Sequence, residues 1–130
     1  SVDRRNGSPF HNIAFGQDII RSFIHACERD DEAIVHLVCI MPDHLHALIE
    51  VRSEGLVEVA GRAKSITTRI WWASGGKGSF GQTSFYDHGI REMRDFEATA
   101  TYIFDNPVKE KLADEWEFYP LFGGALIVDR

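Results

Sequence analysis

His44 and His46 flank a single leucine in Met41-Pro42-Asp43-His44-Leu45-His46-Ala47-Leu48-Ile49-Glu50-Val51, a pairing of imidazoles able to hold a metal ion. In an extended strand successive side chains point to opposite faces. The two histidines then share one face, while Leu45, Ala47, Ile49 and Val51 form the other. Far downstream, Tyr102 and Asn106 stand four residues apart, which puts a phenol and a metal-capable amide on one face of a helix. Two imidazoles, an amide oxygen, a cation and a phenol suit phosphodiester transesterification. The cation polarises the scissile phosphate and offsets charge on its oxygens, the phenolate attacks in line, and the sugar 3′-oxygen leaves. The plainer alternative is that His-x-His decorates a solvated sheet face.

Positioning these groups requires a folded scaffold, and the chain has the composition for one. Its 130 residues, 44% hydrophobic and 26% charged, suit a single α/β or α+β domain spanning residues 1–130, with no linker composition and no repeat. Residues 17–29 carry Ile19, Ile20, Phe23, Ile24 and Cys27 at helical spacing. Residues 34–40, rich in β-branched and aliphatic side chains, read as a central strand that turns at Met41-Pro42 and pairs antiparallel with the histidine strand. Leu56, Val59, Ala60, Ala63, Ile66, Ile70 and Trp71 predict a second helix. It runs up to Gly75-Gly76-Lys77-Gly78, which follows a helix and lacks the ending of a phosphate loop. Residues 80–91 are ambiguous, with Phe85-Tyr86 as the anchored part. Asp95 is expected to cap a helix running to about Asp105, Pro107 to end it and begin a short helix to about Trp116, and residues 118–128 to supply a last strand. Residues 1–5 fit the end of a strand.

Cys27 and Cys39 read as small buried residues, which fits a reducing, cytoplasmic setting. No apolar stretch approaches the ~20 residues of a membrane span, and the start lacks the plan of a signal peptide. A net charge of −6 argues mildly against a general nucleic-acid binder. Its distribution matters more than its sum. Acids gather at 28–32 and 110–117, whereas Arg62, Lys64, Arg69 and Lys77 lie between Glu58 and Asp87 with no acid among them. Lys64, Ser65, Thr67, Thr68 and Arg69 form either a phosphate-contacting side of the second helix or an ordinary solvated one. Trp71-Trp72 has two uses, stacking on unpaired bases or, for Trp71 above all, packing in the core.

Three ordered motifs carry a family resemblance: Met-Pro-Asp-His44-Leu-His46, then Phe85-Tyr86-Asp87-His88-Gly89-Ile90-Arg91, then Tyr102-Ile103-Phe104-Asp105-Asn106-Pro107-Val108. Over about residues 34–112 the chain resembles the REP-associated tyrosine transposases, within the single-tyrosine HUH transposase family. The resemblance implies a ferredoxin-like antiparallel sheet with helices packed on it, within the α+β class. It also implies cleavage of single-stranded DNA near a hairpin, leaving a 5′-phosphotyrosine and a free 3′-hydroxyl. By motif, Tyr102 is the nucleophile, His44 and His46 are metal ligands, and Asn106 is either a third ligand or, preceding a proline, the N-cap of the next helix. Imidazoles alone favour zinc-like metals; the resemblance, with an amide oxygen and a substrate phosphate, points to a divalent Mg²⁺ or Mn²⁺. Asp43 stands where the family usually has asparagine, and Gly81-Gln82 where an aromatic-glutamine pair is frequent. The family's first strand starts further upstream than Ser1, so a shortened copy with an exposed sheet edge, and with it a homodimer, is expected.

Among the other candidates, Tyr86 rivals Tyr102 because His88 is near, but an aromatic pair more often anchors a loop. Tyr119 reads as a packing residue. His11, His25 and His36 stand alone in sequence, and Glu50 is some ~13 Å along the strand from His46. Three readings follow: a metal-dependent single-stranded DNA nuclease and strand transferase acting through Tyr102; a domesticated, non-catalytic module binding DNA or RNA hairpins; and, more remotely, a small zinc hydrolase using His44, His46 and a carboxylate such as Glu50.

Overall fold

The computed structural model describes residues 13–29, 33–42, 44–51, 55–73, 81–87 and 93–127. The elements run α1 (Ile13–Cys27), β1 (Ala33–Met41), β2 (His44–Val51), α2 (Leu56–Ala73), β3 (Gly81–Asp87), α3 (Met93–Lys109), a 3₁₀ turn (Trp116–Phe118) and β4 (Phe122–Gly123). The sheet order is β3-β2-β1-β4. β1 pairs antiparallel with both β2 and β4, and β3 joins the far edge parallel to β2 through the α2 crossover. The α+β class is as expected, and three antiparallel strands with three helices are compatible with a ferredoxin-like fold. Residues 80–91 contain the β3 strand; the expected strand at 1–5 and the glycine turn at 75–78 lie outside the described residues.

Register decides which helix covers which face. Residues directly opposite in an antiparallel pair share a face, so Val38, Ala47 and Gly123 form one row and Cys39, His46 and Phe122 the next. The first row meets α1, because a Cβ on Gly123 would stand 2.4 Å from Ile20 and 3.5 Å from Ile24. The second meets α3, where the Phe122 ring lies 5.4 Å from Phe104 and the His46 ring 5.6 Å from Tyr102. β1 and β2 are therefore buried at almost every position, His46 included.

The register slips once. Val35 opposes Ile49 while Leu37 opposes Leu48, leaving His36 as the extra residue of a bulge. Gly124 closes on that bulge at φ +107, and a Cβ there would sit 2.8 Å from the His36 carbonyl group, so only glycine fits. Leu126 N–H donates to the His36 carbonyl and Tyr119 Oη donates to the Ile40 carbonyl, tying the tail across β1. Tyr119 is the packing residue expected.

Two expectations for α3 fail. Asp95 lies in the first turn, not at the cap, where its charge still complements the helix N-terminus. Pro107 does not end the helix; it sits fully buried inside it, and α3 continues to Lys109, so no separate helix runs from 107 to 116. The stop is a Schellman turn, with Leu112 N–H donating to Pro107 O and Lys111 N–H to Val108 O. Burial of the proline ring and this capping outweigh the missing N–H.

Lys111 occupies the left-handed C′ position at φ 61, where glycine is the usual residue. The left-handed penalty of about 1–2 kcal/mol exceeds the entropic cost of a glycine. Lys111→Gly should therefore stabilise the fold by about 0.5–1 kcal/mol, read as a higher urea midpoint with an unchanged m-value; a lower midpoint would contradict this ending of α3.

Candidate functional site

The two histidines extend from the α3 side of β2, and their Nε2 atoms are 2.8 Å apart with the rings nearly perpendicular at 89°. Two nitrogens each ~2.1 Å from one cation, at a right angle to one another, would stand about 3 Å apart. The pair is thus convergent in the way shared coordination requires. His46 is 5% exposed, and its pKa is lowered to about 4, first by burial and second by its neighbour His44. A neutral ring keeps a lone pair available to a cation at neutral pH.

α3 supplies the phenol. Ala100 and Ile103 are buried against the sheet and Phe96 and Phe104 pack beside them, which sets the helix phase and leaves Tyr102 at the margin of the buried stripe. Its ring meets His46 edge to face at 5.6 Å, yet the side chain is 53% exposed, open to a bulky substrate. Lys109, two turns further on, places Nζ 5.7 Å from the Tyr102 ring centre. The i, i+7 spacing was visible in sequence, but the expected helix break at Pro107 hid it.

Asn106 lies one turn beyond Tyr102 and is 7% exposed. It cannot be the N-cap of a following helix, because it is inside α3 and its carbonyl accepts the Glu110 N–H. Its Nδ2 is buried with no hydrogen-bond partner. An amide's O and N positions interchange on flipping, so this orphan site can equally present an acceptor oxygen. Two convergent imidazoles and an unsatisfied buried amide fit a divalent cation. Among the described residues no three or more His, Cys, Asp or Glu side chains come together.

The remaining candidates separate cleanly. Glu50, the carboxylate needed for a zinc hydrolase, is bound at 2.9 Å to His36 Nε2, whose ring packs edge to face on Phe96 at 4.8 Å. Both free cysteines are buried, and burial pushes the Cys27 thiol up to about 11. Arg62 and Arg69 lie on α2, on the other side of the sheet, lining a groove with Arg29, a residue that sequence reasoning missed; Lys64 is exposed outside that lining. Trp71 packs against the core and Trp72 is exposed. His11, Asp43, Lys77 and His88 lie outside the described residues. Among the described residues no helix is long and apolar enough to cross a membrane.

No family model matches the chain, and no solved structure does. In sequence it is similar to the REP-associated tyrosine transposase of Escherichia coli (strain K12), 28% identical over 103 residues that make up 77% of this chain and 61% of that protein. The chain thus spans less than two thirds of that relative's length.

The buried state of His46 has a measurable consequence. Its folded pKa lies below the ordinary 6.5, so the unfolded chain takes up the proton first and stability falls as pH drops from about 6.5 toward 4. The loss should be on the order of 3 kcal/mol across that window in metal-free protein. Urea unfolding with chelator at pH 7 and pH 4.5 should show it, and His46→Leu should flatten the slope. An equal slope in that variant would mean His46 is not the group responsible.

Proposed function

We propose that this chain is a transposase-type enzyme, a metal-dependent endonuclease and strand transferase for single-stranded DNA that acts through Tyr102. The observation that carries the reading is the contact of the half-exposed Tyr102 ring with the convergent His44–His46 pair, across the interface of α3 and β2. The likeness to a protein named a tyrosine transposase supports it independently, and a cytoplasmic site of action fits.

The chain's residues divide the work as follows. His44, His46 and Asn106 would hold a divalent cation, Mg²⁺ or Mn²⁺, which supplies Lewis-acid polarisation of a phosphoryl oxygen when bound. Tyr102 Oη loses its proton to solvent and attacks phosphorus, forming a new O–P bond. The bond to the 3′-oxygen breaks, the electron pair leaves with that oxygen, and a proton from solvent makes it a hydroxyl. The product is a 5′-phosphotyrosine, whose bond energy a later 3′-hydroxyl recovers by attacking in reverse and restoring the phenol. Lys109 places a cation near the ring, where it attracts the incoming phosphate. The unsatisfied Asn106 amide, held in helical geometry before a proline, is a local cost tolerated one turn from the nucleophile.

Labelled single-stranded hairpin DNA with Mg²⁺ or Mn²⁺ should give a covalent band on a denaturing gel that disappears in Tyr102→Phe while hairpin binding persists. Lys109→Ala should retain the band but slow its appearance by about tenfold, the scale of one favourable charge near a reacting group. Hairpin binding by intact parent protein with no band under either metal would instead assign a non-catalytic hairpin-binding module.

A further inference from the structure

The sheet face away from Tyr102 carries a groove of about 570 Å³ between the end of α1 and the outer side of α2. Among the described residues three arginines line it, Arg29 from the turn after α1 and Arg62 and Arg69 from α2, together with Ser65 and one acid, Glu58. Arg62 and Arg69 are seven residues apart, so their backbones are about 10 Å apart along the helix axis on one side of it. That side continues to Trp72, three residues beyond Arg69 and 63% exposed. Cations spaced along an open groove, with an exposed aromatic ring one helical turn beyond the last of them, match a flexible chain of phosphates carrying unpaired bases.

Gly61 is a second and independent observation. It sits in the interior of α2, where glycine is about 1 kcal/mol worse than alanine, and a Cβ there would have no atom within 4 Å. Packing therefore does not demand glycine. Gly61 lines the groove, and its missing side chain leaves the floor open.

We infer that this groove binds single-stranded nucleic acid at a second site, separated by the sheet from the Tyr102 site. Phosphates meet Arg29, Arg62 and Arg69, and a base stacks on Trp72. The inference shares only its ligand class with the proposed function and needs neither a metal nor cleavage.

The test uses the whole chain with chelator present and labelled 12-nucleotide oligothymidylate or oligouridylate, neither of which forms a hairpin, read by fluorescence anisotropy. Arg29→Gln with Arg69→Gln should weaken binding at least tenfold and reduce the log–log salt slope by about 1.4, the value for two lost phosphate contacts on a single strand. Trp72→Ala should weaken it at least fivefold. Gly61→Leu, with a better helix former over open space, should fold with an undiminished melting temperature and still lose binding by tenfold or more. Tyr102→Phe should bind like the parent. Binding of either oligomer supports the site. Parent-like affinity in the arginine and Gly61 variants, no binding of either oligomer, or binding only to anionic vesicles would overturn it. Because no cleavage is involved, absence of a Tyr102 adduct leaves this result readable.

Discussion

Everything at the candidate site depends on one buried ring. His46 lies between β2 and α3, where burial and its neighbour His44 hold it neutral, and both the His44 and the Tyr102 rings stand nearly perpendicular to it. Burying an imidazole costs solvation unless its polar atoms find partners. His44 supplies one such partner through the 2.8 Å Nε2–Nε2 hydrogen bond, in which one ring donates and the other accepts; a cation between them would replace that proton, with both rings protonated on Nδ1 instead. Ala100 and Ile103, buried against the sheet, seat α3 above the strand and so bring the Tyr102 ring against His46.

The rest of the molecule holds that layer in place. The aromatic group of Phe104, Trp116, Tyr119 and Phe122 binds the C-terminal half of α3 to the tail and, through the Tyr119 hydroxyl, to β1. At the other end of the helix, Phe96 rests on His36, which the β1 bulge swings toward Glu50. α3 is thus pinned on both sides of Tyr102. On the opposite face α1 and α2 pack together. Gly16 lies beneath Leu121, 2.6 Å from where its Cβ would stand, and the Gln17 amide donates to the Pro120 carbonyl. The tail consequently touches helices on both faces, although its β4 pairing is only two residues long.

Much of this was legible in the sequence because it is local. Period-two alternation in residues 44–51 placed the histidines on one face, helical periodicity found α1 and α2, and the Tyr102–Asn106 spacing put both on one side of α3. What escaped depends on distant parts of the chain. The parallel partnership of β3 with β2 is a long-range pairing with no local signature. His36 read as solitary because a one-residue bulge, closed by Gly124, is what turns it to Glu50. Pro107 read as a terminator by a rule that burial overrides, and the misplaced helix end left Asn106 with an N-cap role it does not have and concealed Lys109. Arg62 and Lys64, neighbours in sequence, part company because two residues on a helix point about 200° apart. Only Arg62 joins Arg69 and Arg29 in the groove.

The proposed function stands or falls on whether a cation held by the His44–His46 pair lies beside Tyr102. It is tested most directly by titrating the isotopically labelled protein with Mn²⁺ and following paramagnetic broadening of its histidine and tyrosine ring resonances. The account predicts that His44, His46 and Tyr102 broaden first and together, while His36 and Tyr119 persist, and that His44→Ala with His46→Ala removes the effect. Broadening centred on His36 and Glu50, or none at Tyr102 when the histidines are saturated, would contradict it.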